Sequence, residues 1–341
     1  MGARPKLTGT SAWGRRAWKR LGRALAGRRR ALVITHDFPD PDALAAGWAV
    51  RELLGRKLGV RARLVYGGSI ERPENRTMVR LLGLPAQAIS PLDFAGRPAV
   101  ILVDTSPGAG NSPLEAGEPV AAVLDSHGGL AAPCTATSTM AAGLCWAARL
   151  RPSRALATAL FYGIKTDTQA LHREATAADE AAYCRLFPLA DPRLLARIEG
   201  PPLPAYTYRM LHQALSDART YGNAVVASLG VLESRDGPAE AADFLARLDQ
   251  ARYALAHGSW EGAEVFSVRT WRRGFEAWRL AKAAAGEEGG AGGHDTFAGG
   301  AVRVEGPRAA ARAGRRIERR FLRAARAPRK RGRKLIPGRR G

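Results

Sequence analysis

Acids and histidines follow runs of apolar residues in four separate segments of this sequence. The segments read THDFPDPDALAAG at 35–47, ILVDTS at 101–106, VLDSHGG at 123–129 and GIKTDT at 163–168. Their candidate chemical residues are His36, Asp40, Asp42, Asp104, Asp125, His127 and Asp167. Each acid alone has a structural explanation. Asp42 could cap a helix, Asp104 and Asp125 could occupy strand-end turns, and Asp167 could cap a loop.

Together these residues favour a metal site. Several strand-end loops supply carboxylate or imidazole groups toward one edge, which is hard to explain as coincidence. Two hard divalent cations about 4 Å apart need a bridging carboxylate and further oxygen or imidazole ligands. Such a pair lowers the pKa of water and offsets charge on a phosphoryl oxygen. No cysteine takes part, so manganese or magnesium fits better than zinc.

The elements that must position these residues alternate between strand-like and helix-like patterns from 31 to about 190. Strand-like segments at 31–35, 61–68, 99–106 and 120–126 predict strands, and helical patterns follow them. This alternation predicts a parallel sheet with helices on both faces. Ligands in such sheets gather at the carboxyl ends of the strands, where the acids and histidines stand.

The proline-rich segment GPPLP at 200–204 predicts a boundary, after which a smaller mixed α/β domain begins. We expect the active site in the cleft between the two domains. The predicted divisions are a basic extension at 1–30, a catalytic domain at 31–190, a linker and connecting helix at 191–221, a substrate-binding domain at 222–306 and a basic tail, disordered or helical, at 307–341.

The net charge of +22 is concentrated at the two ends of the chain. Residues 1–30 carry ten Lys or Arg and no acid, and residues 307–341 carry fifteen with one acid, Glu318. The remaining body has a formal charge of −2. Such ends could bind nucleic acid or another polyanion, or could be solvated tails. Trp13, Trp18, Leu21 and Leu25 could also form a basic amphipathic helix at a membrane or partner surface.

The three cysteines form no CxxC pair and predict reduced, buried thiols in the cytoplasm. No apolar run approaches the roughly 20 residues of a membrane span. At 341 residues, the chain is long enough for two domains.

The four segments resemble, in order and spacing, the motifs of the DHH phosphoesterase family. THDFPDPDALAAG resembles the first motif, ILVDTS the second, VLDSHGG the third and GIKTDT the fourth. CTATSTM at 134–140 resembles the helix start after the third motif. EVFSVRT at 264–270 and GGAGGHDTFAGG at 289–300 resemble the family's associated C-terminal domain, with its glycine loop.

The resemblance implies a role for each matched residue. His36, Asp40 and Asp104 would hold one cation, and Asp42, Asp104 and Asp167 a second, with Asp104 bridging. His127 would lie near the scissile phosphate, supported by Asp125. The residues implied to grip a substrate phosphate or nucleotide are Arg269, Gly292, Gly293 and His294.

One position departs from the family pattern, because the Asp-His-His triplet is Asp125-Ser126-His127 here. A neutral serine hydroxyl is a poor ligand for a divalent cation, so the second cation should bind more weakly. The resemblance implies hydrolysis of an oligoribonucleotide, adenosine 3′,5′-bisphosphate or a cyclic dinucleotide. The alternative is a DHH homologue that binds nucleotides or nucleic acid but hydrolyses poorly. Some short family members are homodimers.

Overall fold

The computed structural model describes residues 8–115, 117–126, 134–172, 175–270, 276–293, 295–328 and 332–337. The chain divides into two compact units, at 1–202 and 203–341. None of the helices in the described ranges has the length and apolarity needed to cross a membrane.

The first unit contains a five-stranded parallel sheet and seven α-helices within its described residues. The strands are β1 (Arg30–Ile34), β2 (Arg61–Tyr66), β3 (Ala86–Ala88), β4 (Ala99–Val103) and β5 (Val120–Leu124). The helices are α1 (Thr8–Ala24), α2 (Pro41–Leu58), α3 (Pro73–Leu82), α4 (Thr137–Ala147), α5 (Arg154–Asp167), α6 (Ala177–Leu186) and α7 (Pro192–Glu199).

The strand order is β3-β2-β1-β4-β5. The chain leaves β1 for β2 on one side and returns to β4 on the other, so the order reverses beside β1. Such switch points create a crevice at the carboxyl ends of the strands, where ligands bind in open α/β sheets. The loops after β1 and β4 carry His36 and Asp104.

The two faces of the sheet are covered differently. Alternate residues such as Ala31 and Val33 face the main core, which includes side chains of α2, α4 and α5. Leu32 and Ile34 face a smaller cluster, against which Phe94 and other partly buried side chains pack. Helices flank the parallel sheet, and the predicted α/β fold with a second, mixed domain is confirmed.

Helix α1 occupies much of the segment predicted as a basic extension. Trp13, Ala17, Leu21 and Leu25 are buried in the core of the first unit. A Cβ at Gly14 would lie 2.8 Å from the carbonyl oxygen of Gly143, so α1 approaches α4 closely. The apolar side of this amphipathic helix is therefore covered by its own unit.

The second unit contains a seven-stranded mixed sheet in its described residues. Its strands are β6 (Arg219–Tyr221), β7 (Ala224–Val231), β8 (Tyr253–Trp260), β9 (Ala263–Thr270), β10 (Gly289–Gly293), β11 (Phe297–Arg303) and β12 (Arg333–Lys334), in the order β10-β11-β9-β8-β7-β6-β12. Its helices are α8 (Ala205–Asp217), α9 (Gly237–Leu245), α10 (Ala277–Ala285) and α11 (Pro307–Ala324).

One segment of this unit differs from the sequence-based expectations. The glycine-rich segment expected as a loop is strand β10, which pairs antiparallel with β11. A Cβ at Gly293 would lie 2.4 Å from the Cα of Ala298, so glycine permits this close approach. The segment expected as a basic tail, disordered or helical, contains helix α11, with Ile317 and Phe321 buried in the core of the unit.

A buried histidine connects β8, β9 and α11. The ring nitrogens of His257 lie 2.6 Å from Glu264 Oε1 and 3.0 Å from Glu318 Oε1. Burial alone would lower the pKa of His257, but the two carboxylates raise it to about 9. The charged ring is held between two acids, and this ion triad fixes α11 on the sheet.

The triad makes the stability of the second unit depend on pH. The folded-state pKa lies above the ordinary value of about 6.5, so the stabilisation is complete below that pH and disappears as the pH rises through about 9. The shift corresponds to about 3 kcal/mol. His257→Gln should be less stable than wild type at pH 6, and the difference should shrink by pH 9.5. Calorimetric unfolding of both proteins across this range measures the difference. A constant difference would contradict the assignment.

Candidate active site

The carboxylate of Asp42 is buried at the N-terminus of α4. The backbone N–H groups of Thr137 and Ser138 donate to Asp42 Oδ2 at 2.7 Å and Oδ1 at 2.8 Å. The first N–H groups of a helix lack partners within it, and its N-terminus favours negative charge. Asp42 thus joins α2 to α4.

Asp40, rather than Asp42, is the N-cap of α2. Asp40 Oδ1 accepts hydrogen bonds from the backbone N–H groups of Asp42 and Ala43, each at 3.0 Å. Pro41 occupies the first turn, where a missing N–H causes no loss. The cap fixes the backbone between Asp40 and Asp42, so the two carboxylates have different neighbours.

His36, Asp40 and Asp104 form a cluster with the composition of a metal site. One ligand atom from each lies within 4.8 Å of the others. His36 Nε2 is 3.6 Å from Asp104 Oδ2 and 3.9 Å from Asp40 Oδ1. The strand order explains why His36 and Asp104 lie close together, because His36 follows β1 and Asp104 follows the adjacent strand β4.

The other ring nitrogen of His36 fixes its tautomer. His36 Nδ1 lies 2.8 Å from the carbonyl oxygen of Asp37, which can only accept, so Nδ1 carries a proton. A metal-binding histidine usually donates its second ring N–H in this way. Burial alone would lower the pKa of His36, but Asp104 and Asp40 raise it well above its ordinary value. Nε2 faces the two carboxylates, and a cation bound there would replace its proton.

The backbone at Asp104 adopts an uncommon conformation. Its φ angle is 59°, in the left-handed region that favours glycine and, less strongly, asparagine and aspartate. Strained residues of this kind persist where their surroundings hold them, often at functional sites. Asp104 N–H donates to the Leu124 carbonyl at 2.9 Å, and Thr137 Oγ1 donates to Asp104 Oδ1 at 2.7 Å. Both contacts hold the side chain beside His36.

The carboxylates repel one another. Burial raises the pKa of Asp42 well above its ordinary range, and the charges of Asp104, Asp167 and Asp40 raise it further. A cation would relieve this repulsion, and carboxylate oxygens with one imidazole form a donor set for hard divalent cations. His36, Asp40 and Asp104 therefore fit a site for a divalent cation.

The third motif is described only in part. Asp125 follows β5 and is buried. The Ser126 hydroxyl lies 3.4 Å from the Thr137 hydroxyl, which in turn contacts Asp104. The position that departs from the family triplet therefore stands next to the carboxylate cluster. His127 lies outside the described residues.

The residues predicted to grip substrate belong to the second unit. Arg269 on β9 forms an ion pair with Asp243 and donates to Ser267 Oγ at 2.5 Å. Gly292 and Gly293 lie on β10, separated from β9 by β11. Arg269 is opposite Phe297 and Gly293 is opposite Ala298, which brings Arg269 and Gly293 to the same end of the sheet. His294 lies outside the described residues.

Three further residues position the site, and none was singled out as functional from the sequence. Thr137 and Ser138 hold Asp42 and Asp104, as described above. Gly163 lies four residues before Asp167 on α5, and a Cβ there would be 2.4 Å from Ser138 Oγ and 3.1 Å from the Asp42 Cα. In the sequence, Thr137 and Ser138 could have been found as polar residues at the start of a helix. Gly163 could have been found as the glycine of GIKTDT.

Comparison with solved structures identifies the fold. An exopolyphosphatase-related protein from Bacteroides fragilis superposes with a TM-score of 0.63, at 14% identity, over 91% of this chain and 98% of that chain. That protein has a DHH fold. The chain has the fold of the DHH phosphoesterases. RecJ from Thermus thermophilus, in complex with Mn²⁺, superposes with a TM-score of 0.48 at 16% identity, over 93% of this chain and 55% of that chain.

Sequence comparison finds a relative that is itself uncharacterized. No protein-family model matches the chain. The uncharacterized protein MJ1633 of Methanocaldococcus jannaschii is 32% identical over 228 residues, which cover 64% of this chain. The chain spans about half of that relative, 47% of its length. The assignment of the DHH fold therefore rests on the similarity to solved structures.

Replacing Gly163 should disturb the site of this DHH fold without removing a ligand. The Cβ of Gly163→Ala would press on Ser138 and on the backbone of Asp42. We expect a loss of about 1–3 kcal/mol of stability, as overpacking causes, and weaker Mn²⁺ binding. Calorimetric titration with Mn²⁺ and thermal unfolding measure both. Gly55→Ala on the exposed side of α2, with no atom within 4 Å of the added Cβ, is the matched control. Equal Mn²⁺ affinity in both variants would contradict the positioning role.

Proposed function

We propose that this chain is a metal-dependent phosphoesterase that cleaves a short oligonucleotide or a small nucleotide. The proposal rests on one observation. At the switch point of the sheet, His36, Asp40 and Asp104 form a cluster beside the buried Asp42. The fitting donor set and the DHH fold support the same chemistry. The substrate class follows from the motif resemblance.

The proposal assigns two cation positions to these residues. His36, Asp40 and Asp104 would hold one cation, and Asp42, Asp104 and Asp167 would hold the other. Cations bound there would lower the pKa of water and offset negative charge on a phosphoryl oxygen. The oxygen-rich donor set, without cysteine, favours Mn²⁺ or Mg²⁺.

The chain's own groups would keep the ligands in place. The Thr137 hydroxyl orients Asp104, and the first N–H groups of α4 hold Asp42. The Asp37 carbonyl keeps the proton of His36 on Nδ1, which leaves Nε2 for binding. Ligands held in this way need little reorganisation when charge develops on a substrate.

The second unit would bind the substrate phosphate or nucleotide. Arg269 offers a guanidinium fork that suits a phosphate, and Asp243 already occupies part of it. A substrate phosphate would therefore compete with the Asp243 carboxylate for Arg269. Gly292 and Gly293 would let the backbone approach phosphate oxygens, with His294 beside them. His127, supported by Asp125, would assist at the scissile phosphate.

We also propose that the protein acts in the cytoplasm. Cys134 and Cys145 are free, buried thiols, and Cys184 is free but exposed, unlike the buried thiol expected from the sequence. Unpaired thiols are typical of proteins in reducing compartments.

Removing the bridging carboxylate tests the proposal. Purified protein with Mn²⁺ would be offered a dinucleotide, adenosine 3′,5′-bisphosphate and a cyclic dinucleotide. We expect turnover of at least one, and Asp104→Asn should reduce it by roughly 100-fold or more, since even an outer-shell partner of a metal ligand contributes 10–100-fold. Asp249→Asn, an exposed acid on the second unit, is the matched control and should retain full activity. Binding of these compounds without Mn²⁺-dependent turnover would instead favour a nucleotide-binding protein.

Restoring the family's histidine tests the role of the departing position. Ser126→His places an imidazole beside Thr137 and the Asp104 carboxylate. We expect the weaker of two Mn²⁺ affinities to increase roughly 10-fold, a typical effect of one well-placed group at a metal site. Ser126→Ala should leave both affinities unchanged, because a neutral hydroxyl contributes little to the binding. Calorimetric titration measures the affinities, and weaker binding by Ser126→Ala would show that the serine itself is a ligand.

A further inference from the structure

Helix α11 carries a row of exposed arginines along one side. We define the arginine stripe as Arg308, Arg312, Arg315, Arg319 and Arg323, all exposed. Their spacings of four, three, four and four residues follow the helical period, so they line one face. At 1.5 Å per residue the stripe is about 22 Å long.

The opposite face of α11 is fixed in the core of the second unit. Ala313, Ile317 and Phe321 are buried there. Glu318 contacts His257, and a Cβ at Gly314 would lie 2.6 Å from the His257 ring. The stripe is therefore part of a packed helix, and its arginines keep their relative positions without a partner.

The arginines of the stripe differ in their ion pairs from the other two arginines of α11. The neighbouring Arg316 and Arg320 both pair with Glu288, on one flank of α11. Within the described part of the chain, no ion pair joins a stripe arginine to an acid. Like charges four residues apart destabilise a helix, and a solvated helix face usually intersperses acids with bases. An anionic partner would relieve the repulsion within this one-sided row.

We propose that the arginine stripe docks the phosphate backbone of a nucleic-acid duplex, without regard to its sequence. Arginine presents a planar fork that binds phosphate in a bidentate manner. A duplex has one phosphate on each strand per about 3.4 Å of its helix axis, so a length of duplex equal to the stripe presents about six phosphates on each strand. The row of charges fixed on a packed helix suits such a regular array.

The structure favours a duplex over a membrane and over a single strand. Membrane-surface helices insert large apolar side chains, and single-strand binders stack bases on aromatic side chains. None of the exposed large hydrophobic side chains in the described residues lies on α11. The stripe offers guanidinium groups alone, which contact phosphates.

Salt-dependent binding of a duplex tests this surface separately from hydrolysis. The full chain, with EDTA to remove cations, would be titrated into a labelled RNA or DNA duplex of about 20 base pairs at increasing KCl. The dependence of log K on log salt should have a slope of about −4 to −5, for five phosphates contacted. Arg312→Gln with Arg319→Gln should weaken binding about 10-fold or more and reduce the slope by about 2. Changing the duplex sequence should change neither value.

The matched control is Arg247→Gln with Arg252→Gln, which removes the same charge from exposed positions of the same unit. It should bind within about twofold of wild type, because contacts with phosphate are local. Equal loss in the two double variants would overturn the proposal, as would wild-type binding by the stripe variant. Tighter binding of vesicles containing phosphatidylserine, or of a single strand, that is lost in the stripe variant would also overturn it. Because EDTA abolishes metal-dependent turnover, a failure of the proposed hydrolysis leaves this result unchanged.

Discussion

The buried carboxylate of Asp42 is the contact on which the site depends. A carboxylate removed from water is costly unless it is hydrogen-bonded, and here the first two N–H groups of α4 meet that requirement. The same contact brings Thr137 to Asp104, so one interaction joins α2, α4 and the end of β4. Burial, and then repulsion from Asp104 and Asp167, oppose the ionised form and raise the pKa of Asp42. The fold thus concentrates negative charge at a point where a cation stabilises it.

The strand-end acids could be predicted from the sequence because their position is encoded locally. An apolar run followed by His36 or Asp104 marks the carboxyl end of a strand, and parallel strands bring such ends to one edge. The contacts of Thr137 could not be predicted in this way. Its N–H meets a carboxylate 95 residues earlier in the chain, and nothing in the local pattern distinguishes it from an ordinary helix start. Gly163 is similar, because its small size matters only where α5 meets Asp42.

The local sequence pattern predicts the wrong conformation for residues 289–293, because strand pairing outweighs the intrinsic preference of the residues. Glycines disfavour strands, so the segment at 289–293 predicts a loop. The segment forms a strand because it pairs antiparallel with β11, with Gly292 opposite Gly299 and Gly293 opposite Ala298. The backbone hydrogen bonds of that pairing, together with a fit that larger side chains would prevent, outweigh the weak intrinsic preference.

The composition of the chain shows that its positive charge lies at the two ends, but it does not show whether those ends are folded. The excess of arginine is at the ends, as counting indicates, but helical periodicity divides each end into two faces. On α11, Ile317 and Phe321 enter the core while Glu318 meets His257. The arginines are left on the outer face because the inner one is occupied. A charge fixed on a packed helix loses less freedom on binding than one on a loose tail, so the packing that hides the apolar face also prepares the charged face for a partner.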